Sequence, residues 1–516
     1  MTVFRLRLTT GLAFLTLALA ACNTDTPTMP PSVTEETTSE LSDGPHAAAD
    51  RVLAQESTTI NATGTAQITE LDIGNTTDRG YSAPIRGAII TPTTFDKPAP
   101  VIVLSHLRAP NCGEHTFAFP CPAGEAEHRF DQGMYYLGEV LAEHGYATVI
   151  PDLGGIFSGA DVESPYNQAE MWKQSVSALV EKLPKENIDR TNVGLFAHSR
   201  SGTLVDAAVD LFGERNLRSV YAYGPGYDTV DLATISPAPA DIPYFSLVGD
   251  ADIDVGPSAN LWLGHYLDQE RNHPALVAQA PGLGHMLINR NAADERIGCE
   301  EMECPDAAEH ERILTESATQ WFNATLLGET TTTLPISSDS ELPESLAGTN
   351  VRWLAASPHA INRLGPEKLG DVCHHADPMN PEPLPDACPE PEVGVVQILT
   401  GVARIQESRA DINVSGARLI ALHVSPSGSY QTENTVTVTL TLDTGEVVPI
   451  QLDPHHPALR NRATEIENGT YTLGTIRIPL PQHVSEATIK QIEISAPNNP
   501  IEVRGIDFLG WLLLRN

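Results

Sequence analysis

Basic residues are scarce in this chain. Its 516 residues include 31 lysines and arginines against 67 aspartates and glutamates, which gives a formal net charge of −36. Nucleic-acid binding needs clustered cationic side chains that displace counterions from phosphates, so this balance argues against a nucleic-acid partner. It also disfavours electrostatic docking on anionic membranes, and a solvated acidic surface accounts for the excess of carboxylates.

The apolar run near the N-terminus is too short for a permanent membrane span. The stretch GLAFLTLALA at 11–20 follows Arg5 and Arg7 and ends at small residues, which is typical of a secretory signal peptide over 1–22. Leu19-Ala20-Ala21-Cys22 resembles the bacterial lipobox, which implies lipid attachment at Cys22; an ordinary signal peptide is the alternative. Asn23 resembles the signal that sorts Gram-negative lipoproteins to the outer membrane. We therefore expect an exported, lipid-anchored protein at the outer membrane or the periplasmic face.

Cysteine is also rare, with seven residues in the chain. Six remain after Cys22, and they fall into three close pairs along the sequence. None has the C-x-x-C spacing of a zinc ribbon, so no metal site is predicted, and no cofactor is expected. An even number of locally paired cysteines in an exported protein predicts disulfides. The predicted bonds are Cys112–Cys121, Cys299–Cys304 and Cys373–Cys388.

Shifts in composition divide the chain into segments. Residues 23–55 are rich in Thr, Ser, Pro and acidic residues and predict a disordered tether. Residues 56–328 alternate continuously apolar runs with amphipathic segments, which predicts a mostly parallel, doubly wound α/β sheet with flanking helices. The polar stretch 329–346 predicts a linker. Residues 347–516 contain strictly alternating segments, as in TVTVTLTL, and predict an all-β sandwich.

A serine directly follows one of the predicted buried strands. In VGLFAHSRSG at 193–202, an apolar run leads to Ser199 and helical residues follow. A nucleophile needs such a sharp strand-to-helix turn, and the flanking residues must be small because the turn crowds them. The strict G-x-S-x-G pattern is absent, since Ala197 and Ser201 replace the two glycines, but both are small. Ser199 is therefore the predicted nucleophile.

Two later loops supply the expected partners of this serine. An apolar strand ends in VGDADID at 248–254, where an acid that orients a catalytic histidine would lie. Asp252 is the predicted acid, with Asp250 and Asp254 as alternates. Another strand ends in APGLGH at 280–285, a glycine-rich loop that carries His285 as the predicted base. Each of the three residues comes just after a strand, in the order serine, acid, histidine.

These stretches, together with PVIVLSH at 100–106 and LAEHGYATVIPD at 141–152, resemble the α/β-hydrolase superfamily. The likeness is to its dienelactone-hydrolase-like and secreted esterase branches and covers about 65–325. It implies an acyl-enzyme on Ser199. The oxyanion hole should use the backbone N–H groups of Arg200 and Leu107. The second domain loosely resembles jelly-roll modules, which implies either carbohydrate or polymer contact or a structural role.

The entrance to such a site should lie along the insertion 108–131, which either shapes a substrate pocket or forms a stapled surface loop. Trp172 either lines the pocket or packs in the core. The candidates for substrate contact are His106, Arg108, Phe117, Phe119, Trp172 and His198.

The sequence thus predicts a serine hydrolase that cleaves carboxylic esters, soluble or polymeric. Two alternatives remain open: a lipid-anchored binding or surface protein with a non-catalytic hydrolase domain, and an amidase or peptidase that uses the same triad.

Overall fold

The computed structural model describes residues 57–113, 116–158, 166–227, 240–294, 296, 299, 304–338, 341–374, 388, 401–426, 435–460 and 473–510. The predicted signal peptide, the lipidation site Cys22 and the predicted tether 23–55 lie outside these ranges. Among the described residues, no helix is both long enough and apolar enough to cross a membrane.

A mixed sheet of ten strands forms the centre of the molecule. Its strands are β1 (Ser57–Thr63), β2 (Ala66–Asp78), β3 (Tyr81–Pro92), β4 (Ala99–Ser105), β5 (Ala147–Pro151), β6 (Ile188–His198), β7 (Leu217–Tyr223), β8 (Tyr244–Gly249), β9 (Ala275–Ala280) and β12 (Arg352–Ala356). They follow the order β1-β2-β3-β5-β4-β6-β7-β8-β9-β12. The six strands from β5 to β9 in this order are parallel, and the edges on both sides are antiparallel.

The parallel strands are those that the sequence predicts, because a strand covered by helices on both faces must be apolar throughout. Every residue of β4, β5, β8 and β9 is buried. The antiparallel strands β1 to β3 were not predicted. In β2, buried and partly exposed positions mix irregularly, and the pairing with β3 shifts register between Asp72 and Gly74, so no regular alternation marks this strand in the sequence.

Helices cover both faces of the central sheet. They are α1 (Tyr135–Glu143), α2 (Gly154–Phe157), α3 (Gln168–Glu181), α4 (Val205–Phe212), α5 (Ser258–His265) and α6 (Ala307–Leu326). Trp172 on α3 and Trp262 on α5 lie in one apolar cluster, and Trp321 on α6 lies in the cluster on the other face. These two clusters fix the ends of the parallel strands, where the predicted chemistry lies.

Two antiparallel sheets follow in the C-terminal part of the chain. Their strands are β13 (Ala360–Leu364), β14 (Val372–Cys373), β15 (Val402–Ile405), β16 (Glu407–Ser415), β17 (Leu419–Pro426), β18 (Thr437–Leu442), β19 (Val447–Gln451), β20 (Gly474–Pro479), β21 (Thr488–Ser495) and β22 (Ile501–Leu509), with α7 (Gln482–Glu486) before β21. One sheet has the order β14-β15-β22-β17-β20, with β13 also on β22, and the other has the order β16-β21-β18-β19. Their apolar residues share one cluster, as expected for facing sheets.

The segment 329–346, predicted as a polar linker, is part of the packed structure. Leu334 and Leu346 join an apolar cluster of the central sheet, and the short pair β10 (Ser345–Leu346) and β11 (Thr349–Asn350) follows. The strand β12 comes next and pairs with β9, although it falls inside the range predicted as the sandwich. The reason is that the edge of β9 offers unpaired backbone groups, which β12 satisfies.

Candidate active site

Ser199 lies at the turn between β6 and the helical segment that begins with it. Its φ angle is +58°, a left-handed conformation that costs a non-glycine residue energy and occurs mainly where surrounding structure enforces it. The crowding expected at this turn falls on Gly202, where a Cβ atom would come within 2.6 Å of Pro225 Cβ. Ser201, by contrast, has room for its side chain, and its hydroxyl donates to His106 O at 2.6 Å.

Asp252 and His285 form a buried pair at the ends of β8 and β9. The distance between His285 Nδ1 and Asp252 Oδ2 is 2.8 Å. The other oxygen of Asp252, Oδ1, accepts hydrogen bonds from the backbone N–H groups of Asp254 and Val255, each at 3.0 Å. The carboxylate is therefore fixed through both oxygens, and it holds the imidazole of His285 at Nδ1.

The two alternate acids, Asp250 and Asp254, make other contacts. Asp250 Oδ1 accepts from Gly282 N at 2.6 Å and so holds the loop that carries the histidine. Asp254 Oδ2 lies 3.4 Å from His285 Nε2, on the opposite edge of the ring from Asp252. Only Asp252 thus occupies the orienting position at Nδ1.

The loop that carries His285 is held by hydrogen bonds from several elements. Gly284 N donates to His310 Nε2 on α6 at 2.9 Å, and Tyr223 OH donates to Gly284 O at 2.7 Å. His198 Nε2 lies 2.9 Å from His285 O. Since a carbonyl can only accept, this contact makes Nε2 the protonated nitrogen of His198. The roles of Tyr223 and His310 carry no local sequence signal, because each depends on a contact far away in the chain.

The short loop Gly224-Pro225-Gly226 links the serine turn to the acid–histidine pair. Gly226 N donates to Ser199 O at 2.9 Å. A Cβ atom at Gly224 would come within 2.9 Å of His285 Nδ1 and 3.0 Å of Asp252 Oδ2. The three predicted catalytic residues thus gather around one turn at the end of β7.

The predicted oxyanion loop is anchored through His106. Leu153 N donates to His106 Nε2 at 2.8 Å, so the proton sits on Nδ1, which contacts Leu107 O at 2.7 Å. The backbone of Leu107 is thereby tied to β5 and, through the bond from Ser201 to His106 O, to the serine turn. Arg200 N lies in the first turn of a helical segment, where N–H groups have no intrahelical acceptor. The oxyanion role of both N–H groups stays a prediction.

A cluster of buried charged residues lies next to this loop. Asp152 contacts Arg86 and, at 3.5 Å, Arg129. Burial opposes the ionisation of Asp152, yet the charge of Arg86 and its other contacts bring the pKa of this carboxyl below its usual value. Burial, with the nearby charge of Asp152, raises the pKa of Asp131 instead. Because these residues are far apart in the sequence, the cluster was not predicted.

Four of the six residues predicted to contact substrate have buried side chains, and their contact with substrate stays a prediction. His106, Phe119, Trp172 and His198 are all buried. Trp172 Nε1 donates to Ser105 Oγ at 2.9 Å, and the Arg86 guanidinium lies over the ring of Phe119. Trp172 therefore packs in the core, while His106 and His198 hold backbone groups of the site.

Arg108 and Phe117 remain candidates for substrate contact. Both are partly exposed, and the guanidinium carbon of Arg108 lies 4.2 Å from the ring centroid of Phe117. The three predicted disulfides are confirmed: Cys112–Cys121, Cys299–Cys304 and Cys373–Cys388 are bonded. The first closes the insertion that carries Phe117, and Cys304 lies beside Gly282 in the histidine loop.

No protein-family model and no curated protein matches this sequence. Among solved structures it is similar to an S-formylglutathione hydrolase from Agrobacterium tumefaciens, with a TM-score of 0.33 and 14% identity over 44% of this chain and 91% of that one. An acylaminoacyl peptidase from Pyrococcus horikoshii gives a TM-score of 0.31 and 10% identity over 54% of this chain and 51% of the peptidase. Acetyl xylan esterase 1 from Thermoanaerobacterium sp. JW/SL YS485 gives a TM-score of 0.28 and 17% identity over 48% of this chain and 87% of the esterase. Likenesses at these TM-scores do not assign the chain to a family.

Proposed function

We propose that this chain is a serine hydrolase that cleaves carboxylic esters through an acyl-enzyme on Ser199. The observation that carries the proposal is the buried Asp252–His285 pair, 2.8 Å apart, which the loop Gly224-Pro225-Gly226 links to a serine held at φ +58°. A strained serine at a strand-to-helix turn, next to a histidine oriented by a carboxylate, is the arrangement that activates a hydroxyl for acyl transfer.

The mechanism follows from the position of each group. Ser199 Oγ attacks the ester carbonyl carbon, and its proton passes to His285 Nε2 while the new C–O bond forms. The negative charge that develops on the carbonyl oxygen is stabilised by the N–H groups of Arg200 and Leu107. The intermediate then collapses, the bond to the alcohol oxygen breaks, and His285 returns the proton to that oxygen. A water molecule repeats the sequence on the acyl-enzyme and releases the acid.

The test is hydrolysis of p-nitrophenyl esters from acetate to palmitate by the protein without residues 1–22, beside Ser199→Ala. We expect turnover and fluorophosphonate labelling in the wild type, and a loss of at least about 10³-fold in the variant. Ser415→Ala is the matched control, since it removes a hydroxyl from an exposed position on β16. Matched p-nitroanilides separate ester from amide cleavage. Silence of the wild type in both assays would instead favour a binding or surface protein.

We also propose that the enzyme acts outside the inner membrane, anchored through Cys22. This rests on the lipobox-like sequence Leu19-Ala20-Ala21-Cys22 and on the three disulfides, which form and persist in oxidising compartments. The same fluorophosphonate probe, applied to fractionated cells, should label the protein in the outer-membrane fraction. Labelling confined to the cytosol would contradict this location.

A further inference from the structure

The carboxylate of Asp254 lies at the reactive nitrogen of the histidine. Its Oδ2 atom is 3.4 Å from His285 Nε2, and its side chain is 45% exposed. The backbone N–H of Asp254 donates to Asp252 Oδ1 at 3.0 Å. This hydrogen bond fixes the backbone from which the Asp254 side chain extends. The imidazole therefore has a carboxylate at each nitrogen, one buried at Nδ1 and one open to solvent at Nε2.

Within the part of the chain that the structure describes, no lysine or arginine side chain neutralises this second carboxylate. Among the described residues, no lysine or arginine nitrogen lies within ion-pair distance of Asp254, and His285 is its ion-pair partner. Arg200, which follows the nucleophile in the sequence, has a buried Nε with no hydrogen-bond partner in the described part of the chain. Asp254 thus presents an unneutralised, half-exposed charge beside the reacting atoms.

Asp254 lies on the side of the site from which the alcohol part of an ester would leave. His285 Nε2 returns its proton to the departing alcohol oxygen, so that group must pass within a few ångströms of Asp254. A positive charge on the alcohol is attracted there and a negative charge is repelled. Ile253, the preceding residue of the same loop, is 51% exposed and gives this loop an apolar surface. The net charge of −36 attracts cations to the whole molecule.

We propose that the leaving-group side of this site selects esters of cationic alcohols that carry alkyl groups on nitrogen, with Asp254 as the specificity-determining residue. This inference rests on the proposed hydrolase function. The carboxylate supplies the charge selection, and we assign the exposed side chain of Ile253 to the alkyl groups.

The test compares two esters of the same shape and different charge. Acetylcholine carries a quaternary ammonium, and 3,3-dimethylbutyl acetate replaces its nitrogen by carbon. p-Nitrophenyl acetate serves as the reference for the acyl part. The variants are Asp254→Asn, which removes the charge, Asp254→Glu, which keeps it, and Asp411→Asn, which removes the same charge from an exposed position on β16.

For the wild type we expect kcat/KM for acetylcholine to exceed that for the neutral ester about tenfold, and the ratio to fall at high salt. The ratio should approach one in Asp254→Asn, recover in Asp254→Glu and stay unchanged in Asp411→Asn. An equal ratio in the wild type and Asp254→Asn, with p-nitrophenyl acetate turned over by both, would overturn this inference and leave the hydrolase proposal intact. Failure of the wild type on all three esters, on the longer p-nitrophenyl esters and in fluorophosphonate labelling would overturn both.

Discussion

At the scale of single residues, buried side chains outside the proposed triad hold the candidate site in place. His198 is the clearest, since its Nε2 donates to His285 O at 2.9 Å and its ring centroid lies 5.1 Å from that of His285. Burial, with the proximity of His285, lowers the pKa of His198 well below 6.5. The neutral ring therefore keeps one fixed donor, and it positions the catalytic imidazole through the backbone.

Replacing His198 should reduce kcat more than it changes KM. His198→Ala removes the donor and lets the histidine loop shift, and a misplacement of about 1 Å can cost about 10²-fold in rate. His198→Gln retains an N–H donor near the position of Nε2 and should recover most of the activity. Steady-state kinetics on a p-nitrophenyl ester measure both. Equal losses in the two variants, or a change confined to KM, would argue against positioning.

The same variants should differ in how stability depends on pH. Because the folded pKa of His198 lies below its unfolded value of about 6.5, the unfolded chain binds more protons in the window between them. Stability therefore falls as the pH drops through that window. Urea unfolding at a series of pH values should give a shallower decline below about pH 6.5 for His198→Gln than for the wild type.

At the scale of elements, much of the site could be predicted from the sequence. Asp252 and His285 follow parallel strands that are buried throughout, and Ser199 follows the buried second half of β6; such stretches are marked by unbroken apolar runs. His310 could not be predicted, because its contact with Gly284 depends on how α6 packs against the sheet. Nor could the interior positions of Trp172 and Phe119, since an aromatic residue near a site has the same appearance in the sequence whether it faces solvent or core.

The loop after β7 links Ser199 to the Asp252–His285 pair. A substitution of Gly224 tests whether this loop arranges the three residues. Gly224 has φ +44°, and a Cβ atom there would meet both His285 and Asp252. Gly224→Ala should therefore lower kcat by at least tenfold. Gly328→Ala is the matched control, since φ is +69° and nothing lies within 4 Å of its Cβ position.

Both alanines cost the strain of a positive φ, about 1 kcal/mol each, and Gly224→Ala should lower the melting temperature further because its Cβ atom also meets His285 and Asp252. Only the variant at 224 should lose activity beyond that effect. If Gly328→Ala lost kcat to the same extent, the loop would have no special part in arranging the triad.

At the scale of the whole molecule, the C-terminal sheets are joined to the central sheet by buried polar contacts. Ala355 N on β12 donates to Thr475 Oγ1 on β20 at 2.9 Å, which covers the edge strand of the central sheet. Arg477 on β20 donates to Ser337 O at 2.8 Å. These contacts favour a structural role for the second part of the chain.

Contact of this second part with a carbohydrate or polymer stays a prediction. Sugar-binding surfaces commonly use exposed aromatic rings. In the described portions of the two C-terminal sheets the aromatic residue is Phe508, and it is buried. A stacking surface would therefore have to come from the aromatic residues that lie outside the described ranges: Tyr430, Tyr471 and Trp511.

The contact most directly related to the active site is made by Arg504 on β22. Its Nε and Nη2 atoms donate to the carbonyls of Gly264 and His265, at 3.1 and 3.3 Å, which are the last residues of α5. That helix follows the loop of Asp252, so the C-terminal sheet supports the element that leads from the catalytic acid. Guanidinium groups at helix C-termini satisfy free carbonyls and favour the helix dipole.

Arg504→Ala should destabilise the protein by about 2–4 kcal/mol, because it removes charge-assisted bonds and leaves two carbonyls without their donor. Calorimetry should show one unfolding transition in the wild type and, in the variant, a lower melting temperature with the two parts unfolding separately. Arg409→Ala, at an exposed position on β16, should change the melting temperature by less than about 1 °C. If the two variants had equal effects, the second part of the chain would not be bracing the first through this residue, and a detachable module would become the better interpretation.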